Sequence, residues 1–519
     1  MTTFARWGDP ADAVTLPEPV RQLLASALKL AAPRPGAARP ALPPTTLTAD
    51  VLSALRDACA DVDDGEPARL AHAAGKSTVD LLDLRAGHAA DAPDAVVRPA
   101  GHDEIVAVLR VATRHRIAVV PFGGGTSVVG GLRAARAGFA GVVALDLTRL
   151  DRLVGVDATS RTATLQAGVR GPHAEEMLAA AGFTLGHHPQ SYQYATLGGY
   201  AATRSSGQAS AGYGRFDQLV LGLRAATPAG TLDVGRAPQS AAGPDLRQLL
   251  LGSEGAFGVI TELTLQVRPV PAARHYAGWA FPSFADGCRA VRALAQDGPV
   301  PTVVRLSDEV ETATNAAVDS TMDSGGGAVA VVGHEGTATD VAAREAAAGE
   351  RLRAAGGKPM GEAPGRAWLA GRYRAPYLRD ALLDTGALVE TLETATFWHR
   401  LPQTYAAVRD ALVDTLTGLG TPPIVMCHVS HVYPAGASLY FTVLAAQNDD
   451  PTAQWRTAKA AASDAIVASG ATITHHHGVG TDHRAWYAEE IGPVGAAMLR
   501  AAKEAVDPVG VLNPGILLP

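Results

Sequence analysis

The feature that most constrains the fold is a strand, helix and strand in sequence that end in a run of glycines. Residues 95–98 predict a strand, His102 to His115 repeat with helical periodicity, and residues 117–122 predict a second strand. That strand continues directly into Gly123-Gly124-Gly125-Thr126-Ser127. Because glycine has no Cβ, backbone N–H groups can converge there on one concavity. The pattern predicts a unit of mixed helix and sheet whose loop suits a pyrophosphate.

The glycine loop has two other interpretations. Glycine-rich loops are most often plain turns, and a dinucleotide-binding βαβ unit is the second alternative. The spacing Gly123-x-Gly125-x-x-Val128 lacks the third glycine of that unit, and residues 129–141 form a poor helix, although Asp146 imitates its ribose-binding acid. Without a helix N-terminus the pyrophosphate would lose the helix dipole. We therefore expect a cradle built from loops alone.

The pattern along the chain divides it into four parts. Residues 1–90 form an N-terminal helical and extended region with a proline-rich connector, Pro33–Pro44. Residues 91–270 form one α+β domain with two glycine clusters. Residues 271–470 alternate strand-like runs with alanine-rich helices, which predicts a second domain with an antiparallel sheet and helices on one face. Residues 471–519 carry a histidine run and a turn-dense tail that we expect to return to the first domain.

Composition excludes several classes of protein. The formal net charge is −7 and the sequence has no basic block, which argues against a nucleic-acid binder. Cys59, Cys288 and Cys427 lie far apart and in no metal or redox spacing, which fits a reduced cytoplasmic protein. The sequence has no long apolar run to span a bilayer and no signal-peptide order at its start. We expect a cytoplasmic protein, and the alanine-rich composition suggests a bacterial one.

The most unusual motif is the run of three consecutive histidines, His475, His476 and His477, which is followed by Gly478. In an extended segment the first and third would share one face and the second would point to the other. The alternatives are a metal site, a surface patch and ordinary core histidines. Because apolar residues with strand character flank the run, a surface patch is disfavoured.

Three motifs resemble the FAD-binding PCMH-type domain of the vanillyl-alcohol-oxidase superfamily, in its order and spacing: residues 120–127, residues 189–205 and residues 252–261. The resemblance implies an α+β fold in which a two-subdomain FAD-binding domain is joined to a cap domain with an antiparallel sheet flanked by helices. It implies FAD bound by Pro121, Phe122, Gly123, Gly124, Gly125, Thr126, Ser127, Pro189, Gln190, Ser191, Ala195, Thr196, Gly198, Gly199, Ala202, Thr203, Arg204, Ser205, Glu254, Gly255, Gly258, Val259, Ile260 and Thr261. Members with covalent flavin often carry a histidine where this sequence has Thr126, so we predict non-covalent FAD.

Motifs in the C-terminal half are similar to the alkyldihydroxyacetonephosphate synthase family. They are residues 304–306, 377–380, 390–398, 432–441 and 474–480, with Arg6-Trp7-Gly8 near the start. The resemblance implies an alkyl transferase of ether lipid synthesis. It exchanges the acyl chain of acyl-dihydroxyacetone phosphate for a fatty alcohol through an adduct at the flavin N5. It also implies a lipid-like substrate, a homodimer and peripheral membrane contact.

The same resemblance implies roles for individual residues. Tyr440 matches the family's proton donor and acceptor, Arg379 its substrate-phosphate ligand and Arg305 a position needed for activity. The alternatives are a core-facing aromatic for Tyr440 and an exposed helix partner of Asp380 or Asp384 for Arg379.

The three histidines are predicted to form a wall of the active site. Imidazolium charge on them is expected to lower the pKa of the Tyr440 phenol so that it can act near neutral pH.

The D-2-hydroxyacid dehydrogenase branch, which shares the FAD domain, is the main alternative. Its divalent-metal ligands would fall at Tyr433, Tyr440 and His476 of this sequence. Two phenols and one imidazole are a poor ligand set, because a phenol has to lose a proton of pKa about 10 to bind a metal well. We therefore predict no metal site, and keep an FAD-dependent oxidoreductase as the second functional hypothesis.

Overall fold

The computed structural model describes residues 5–31, 39–133, 135–318, 322 and 325–518, so residues 33–38 of the predicted connector Pro33–Pro44 lie outside the described residues. The N-terminal region contains a 3-10 turn at Pro10–Asp12, α1 (Glu18–Leu28), α2 (Ala49–Ala58), β1 (Val62–Asp63), α3 (Glu66–Ala71) and α4 (Thr78–Arg85). Helix α4 begins at a capping box, in which Ser77 and Asp80 bond each other's backbone N–H groups.

The first part of the FAD-binding region is a parallel sheet extended by one antiparallel strand. It contains β2 (Ala95–Val97), α5 (His102–His115), β3 (Ile117–Phe122) and β4 (Gly141–Asp146). The strand order is β1-β2-β4-β3, and β4 pairs in parallel with both β2 and β3. Helix α5 buries Ile105, Val108 and Leu109 in the core cluster that also contains the strand residues. The apolar stripe of α5 therefore fixes the position of the glycine loop that follows β3.

The second part of this region is a separate antiparallel sheet of order β5-β6-β10-β8-β9. The elements are β5 (Leu153–Asp157), β6 (Thr162–Gln166), α6 (Gly171–Ala179), β7 (Phe183–Thr184), α7 (Leu197–Ala202), α8 (Ser210–Tyr213), α9 (Phe216–Leu219), β8 (Val220–Thr227), β9 (Gly230–Val234), α10 (Arg247–Leu250), β10 (Val259–Gln266) and β11 (Arg268–Pro269). Strands β7 and β11 pair with each other. The glycine-rich residues 252–258 connect α10 to β10, whereas Gly198 and Gly199 lie in α7.

The cap is one antiparallel sheet of order β15-β12-β14-β13-β17-β18-β16. Its elements are β12 (Ala273–Phe281), α11 (Phe284–Asp297), β13 (Val303–Ser307), α12 (Glu309–Val318), β14 (Ala328–Gly336), α13 (Ala338–Ala354), β15 (Lys358–Gly361), α14 (Ala363–Gly371), α15 (Ala375–Leu383), β16 (Ala387–Phe397), α16 (Leu401–Gly418), β17 (Ile424–Val429), β18 (Gly436–Ala446) and α17 (Pro451–Ala468). Leu439, Phe441 and Val443 of β18 pack under the helices, in one core cluster with residues of α11, α16 and α17. The predicted α+β class and antiparallel cap sheet are confirmed.

The other face of the cap sheet carries polar and ionisable side chains. Because directly opposed residues on antiparallel strands project to the same side, the pairing of β17, β18 and β16 aligns three rows across the sheet. These rows are His428, Tyr440 and Glu393; then Met426, Thr442 and Thr391; then Ile424, Leu444 and Val389. The face therefore changes from ionisable to apolar over a few residues.

The two ends of the chain are bonded to different regions, the N-terminal end to the cap and the C-terminal end to the FAD-binding region. The Trp7 backbone N–H donates to Asp380 Oδ2 on α15, with a distance of 2.6 Å. After α18 (Arg484–Val506), the side-chain amide of Asn513 donates to the carbonyl oxygens of Gly131 and Glu254, at 3.1 and 2.7 Å. No helix in the described part of the chain is long and apolar enough to cross a membrane.

Candidate functional site

A cavity of about 540 Å³ lies between the FAD-binding region and the ionisable face of the cap sheet. Most residues predicted to bind the cofactor line it, from residues 121–127, 189–191, 195–205 and 254–260. Arg204, Val259 and Thr261 do not. The Arg204 guanidinium instead donates to the Leu251 carbonyl oxygen, and Thr261 bonds His102. These side chains contribute to the packing of the domain, and a role for the three residues in binding the cofactor stays a prediction.

The packing of the protein itself requires glycine at positions in this loop. A Cβ on Gly124 would meet the Tyr194 carbonyl oxygen, and one on Gly123 would meet the Thr196 hydroxyl. Gly125 has a φ of +66°, in the left-handed region that favours glycine. No helix begins in the described residues 123–133, so this part of the cradle is a loop. The prediction of loops alone does not extend to the rest of the lining, because Gly198, Gly199 and Ala202 reach the cavity from α7.

The polar lining of the cavity fits a large polar cofactor. Gln190 Nε2, Ser206 Oγ and Gln208 Oε1 are buried and have no hydrogen-bond partner among the described residues. Buried polar atoms are ordinarily paired, so such atoms at a cavity wall mark groups that a ligand can satisfy. With the glycine loop beside them, these residues would hold the phosphates and sugars of FAD.

The histidine run curls around one buried carboxylate instead of extending. Glu393 accepts hydrogen bonds from the backbone N–H groups of His475, His476 and His477, at 2.7, 3.0 and 3.0 Å, and from the Thr474 hydroxyl at 2.7 Å. Burial opposes ionisation, but the backbone N–H groups that converge on the carboxylate hold the pKa of Glu393 well below its ordinary value. Consecutive N–H groups that converge on an anion form a nest.

This curl corrects the predicted arrangement of the three rings. His476 and His477 line the cavity, whereas His475 lies behind them. His475 Nε2 is 2.7 Å from the Tyr433 hydroxyl, and its Nδ1 is 2.9 Å from His476 Nδ1. The alternation expected for an extended strand is wrong because the nest bends the backbone at each histidine.

The predicted effect of the histidines on Tyr440 is also wrong. Burial lowers the pKa of His476, lowers that of His477 to about 4 and lowers that of His475 far below its ordinary value. The three imidazoles are therefore neutral at pH 7 and supply no imidazolium charge. Burial raises the pKa of the Tyr440 phenol to about 12. Tyr440 does line the cavity, as predicted, but it keeps its proton and can act there as a donor.

Arg305 belongs to an ionic group at the cavity wall whose other members the sequence pattern did not identify. Its guanidinium pairs with Glu311, whose other carboxylate oxygen is 3.0 Å from His428 Nδ1. The His428 ring stacks on the Tyr440 ring, with centroids 4.8 Å apart. All four side chains line the cavity. Glu311 and His428 were missed because they lie far apart in sequence and meet only through the β13, β17 and β18 pairing.

Arg379 of α15 lines the same cavity. Its Nη1 donates to the Lys76 carbonyl oxygen at 2.7 Å, while Nε and Nη2 are buried without a hydrogen-bond partner in the described part of the chain. The neighbouring acids Asp380 and Asp384 instead pair with Arg85, so the alternative of a helix partner for Arg379 does not hold. A buried guanidinium edge without partners suits an oxyanion.

Three imidazoles come together in a way that raises the question of a metal. Ligand atoms of His431, His475 and His476 lie within 4.8 Å of one another. Two zinc–nitrogen bonds of about 2.1 Å span at most about 4.2 Å, so the cluster would have to contract to hold an ion. The stacked arrangement of the His431 and His475 rings opposes such a contraction, because both rings cannot then point at one centre.

Comparisons with known proteins agree with this architecture. Residues 93–234 match the family described as "FAD binding domain", and residues 270–517 match "FAD linked oxidases, C-terminal domain". FAD is therefore the cofactor of this protein.

Two relatives and one solved structure match most of the chain. The alkyldihydroxyacetonephosphate synthase of Dictyostelium discoideum is 33% identical over 88% of this chain and 78% of its own length. The enzyme of the same name from Trypanosoma brucei brucei is 33% identical over 87% of this chain and 77% of its own. A solved alkyldihydroxyacetonephosphate synthase superposes with a TM-score of 0.83 at 28% identity, covering 99% of this chain and 98% of the other. The chain belongs to the alkyldihydroxyacetonephosphate synthase family of FAD-linked enzymes.

Proposed function

We propose that the protein exchanges the acyl chain of acyl-dihydroxyacetone phosphate for a fatty alcohol and so forms an ether lipid precursor. The observation that carries this proposal is the cavity itself. It joins the FAD cradle to the unpartnered guanidinium edge of Arg379 and to an apolar arm along Val389, Met426 and Leu444. A substrate that bears both a phosphate and a long chain matches these two ends.

Arg379 would bind the substrate phosphate. Its Nε and Nη2 can donate two hydrogen bonds to phosphate oxygens while Nη1 remains held by the Lys76 carbonyl. The apolar arm would take the hydrocarbon chain, because the apolar residues Leu382, Val389, Met426 and Leu444 all line the cavity. Transfer of the hydrocarbon chain from water to this apolar environment is favourable.

The ionisable row of the cap sheet would handle protons at the reacting carbon. Tyr440 keeps its proton and can donate a hydrogen bond to the departing carboxylate, and Arg305 adds positive charge close to it. When bound, FAD supplies the covalent-catalysis centre of the exchange. The overall reaction is redox-neutral, since one C–O bond forms for each C–O bond that breaks.

The test is a product assay with the purified, FAD-loaded protein. Palmitoyl-dihydroxyacetone phosphate and hexadecanol should give hexadecyl-dihydroxyacetone phosphate and palmitate, both detected by mass spectrometry. A protein with full FAD occupancy that forms no ether product from these substrates would contradict the proposal.

Oxidation of a hydroxy compound is the second function to test, since the matched C-terminal family is described by oxidases. The measurement is flavin absorbance under anaerobic conditions with D-lactate, glycolate and D-2-hydroxyglutarate. We expect the flavin to remain oxidised with all three. Bleaching at a rate that supports turnover would favour the oxidoreductase.

We further infer a cytoplasmic, peripherally membrane-bound homodimer. The lipid-like substrate supports membrane contact, as do the exposed apolar side chains of Val494 and Met498 on α18, with relative exposures of 74% and 69%. Light scattering after gel filtration tests the dimer. Sedimentation with phospholipid vesicles tests the membrane contact, which Met498→Glu should weaken.

A further inference from the structure

We infer that His428 is the base that removes a proton from the substrate and that Glu311 is its positioning residue. This inference rests on the proposed exchange reaction, and it concerns a histidine outside the histidine run. Both side chains are almost fully buried, with side-chain exposures of 7% for His428 and 9% for Glu311. They reach the cavity from different elements, His428 from β17 and Glu311 from the first turn of α12.

The contacts of Glu311 determine which nitrogen of His428 carries hydrogen. Burial opposes ionisation of Glu311, but His428 and Arg305 hold its pKa at about 2, so it is a carboxylate. A carboxylate oxygen 3.0 Å from Nδ1 would repel a lone pair there. His428 therefore carries hydrogen on Nδ1 and donates it to Glu311. The Arg305 guanidinium, which is 3.1 Å from Nδ1 and can only donate, gives its hydrogen to the same carboxylate.

This tautomer leaves a lone pair on Nε2. Nε2 has no hydrogen-bond partner among the described residues, and His428 lines the cavity. Burial, followed by the charge of Arg305, lowers the pKa of His428, so the ring is neutral at pH 7 and able to accept a proton. A carboxylate that orients a neutral imidazole is the arrangement that activates histidine bases in general.

Glu311 is itself held firmly. Its backbone N–H donates to Asp308 Oδ1 at 2.8 Å, and Asp308 Oδ2 accepts from the Cys427 N–H at 2.9 Å and the Tyr405 hydroxyl at 3.0 Å. Asp308 therefore ties the start of α12 to β17 beside His428. The carboxylate and the ring it orients are fixed to one another through the backbone.

The base and the acid of the reaction would then lie side by side. His428 and Tyr440 are directly opposed on β17 and β18, and their rings stack at an interplanar angle of 19°. Burial makes the imidazole a neutral base and keeps the phenol protonated. Two neighbouring groups whose environments separate their proton affinities in this way form an acid and base pair.

The step can be written in full. The acyl-bearing carbon of the substrate is next to a ketone, so its C–H bond is acidic for carbon. Nε2 of His428 takes the proton, and the electron pair of the C–H bond moves onto the ketone oxygen to give an enolate. The imidazolium is balanced by Glu311 and the enolate by the cationic guanidinium of Arg305. Reversal of the step returns a proton to carbon, and no oxidant or reductant is consumed.

Deuterium exchange tests this step directly. The FAD-loaded protein is incubated in D₂O with palmitoyl-dihydroxyacetone phosphate and hexadecanol, and deuterium at the reacting carbon of the ether product is measured by mass spectrometry. The wild type should form ether that carries deuterium. His428→Gln should lose at least about 100-fold in both exchange and ether formation, in the range expected for loss of a general base. His334→Gln, which changes a buried histidine of the same sheet outside the cavity, is the matched control and should retain both.

Two further variants separate chemistry from folding. His428→Ala should bind FAD and recover exchange when imidazole is added. Glu311→Gln removes the group that raises the pKa of His428, while Arg305, Tyr440 and His476 still face the ring, so the acidic limb of the rate profile should move to lower pH. Wild-type exchange in His428→Gln, no recovery of His428→Ala with imidazole, or an unmoved acidic limb in Glu311→Gln would overturn the inference. A wild-type protein with neither exchange nor ether product would overturn the proposed function, and this inference with it.

Discussion

A single carboxylate accounts for the shape of the histidine run. Glu393 is completely buried and binds four donors of residues 474–477, so the run closes over β16 as a nest. The rings that reach the cavity, His476 and His477, are selected by this curl. At the scale of the residue, the hydrogen bonds that stabilise the buried Glu393 carboxylate therefore determine which histidine rings line the cavity.

Glu393→Gln should lower the free energy of unfolding by about 2 kcal/mol, because the amide NH₂ would face backbone donors that now bond a carboxylate oxygen. Turnover should fall as the rings shift. Urea unfolding and the ether assay measure the two effects. Glu490→Gln is the control, since Glu490 bonds the same segment at Thr472 and Ile473 but is exposed, and it should change stability by less than about 0.5 kcal/mol. Equal losses in the two variants would contradict the nest.

Arg379→Gln should raise KM for the phosphorylated substrate about 100-fold and change kcat much less, because two charged hydrogen bonds to phosphate are lost equally from ground and transition states. Steady-state kinetics with palmitoyl-dihydroxyacetone phosphate measures this split. Arg366→Gln, which changes an exposed arginine of the neighbouring α14, should leave both constants unchanged. A KM unaffected by Arg379→Gln would remove this residue from phosphate binding.

At the scale of the element, the glycine loop and the segment at Tyr194 form one packed unit. The Cβ of an alanine at position 124 would overlap a backbone carbonyl, which cannot rotate away. The FAD cradle therefore depends on contact between two loops from different sheets.

Gly124→Ala should lose FAD and about 2 kcal/mol of stability through this overlap. The ratio of flavin to protein absorbance and the thermal midpoint measure the outcome. Gly371→Ala, at the end of α14 where a Cβ would meet nothing within 4 Å, is the control and should keep full FAD content. Normal FAD content in Gly124→Ala would show that the two loops separate without cost.

Some strands of the fold could be predicted from the sequence and others could not. Strands β2 and β3 are apolar and helix α5 has a regular apolar stripe, and the sequence predicted all three. Strands β16 and β17 were missed as strands, because their cavity-facing residues, such as Glu393, Thr391 and His428, interrupt the apolar pattern. The residue motifs identified the glycine loop and Tyr440, which line the same cavity. They could not find Glu311 or the nest, since these depend on pairing between distant segments.

At the scale of the whole molecule, buried neutral histidines dominate the response to pH. Burial lowers the pKa of His187, His188 and His483 to about 3 and of His334 and His477 to about 4. In the unfolded chain these groups take up protons near pH 6.5, whereas the folded protein does so only at much lower pH.

Stability should therefore fall as the pH falls from about 6.5 towards 4, by about 1.4 kcal/mol per pH unit for each such histidine. Glu254, whose pKa burial raises to about 7, opposes this trend with one proton. Urea unfolding at pH 8, 6.5 and 5.5 measures the slope. We expect nearly constant stability above pH 7 and a steep loss below pH 6.5, and a maximum near pH 5 would contradict the neutral state of these histidines.

The attachment of FAD is a further property of the whole protein. Thr126 stands where family members with covalently bound flavin often carry a histidine. We therefore expect acid precipitation to release FAD, and with it the yellow colour, into the supernatant. Colour that remains with the pellet would contradict non-covalent binding.

The most direct test of the central claim, alkyl exchange without net oxidation, is a stoichiometry measured under anaerobic conditions. The FAD-loaded protein is mixed with palmitoyl-dihydroxyacetone phosphate and hexadecanol, and ether product, released palmitate and flavin absorbance are followed together. One palmitate should appear for each ether formed over many turnovers, with the flavin oxidised at the end. Palmitate without ether, or flavin that stays reduced after one turnover, would contradict the account.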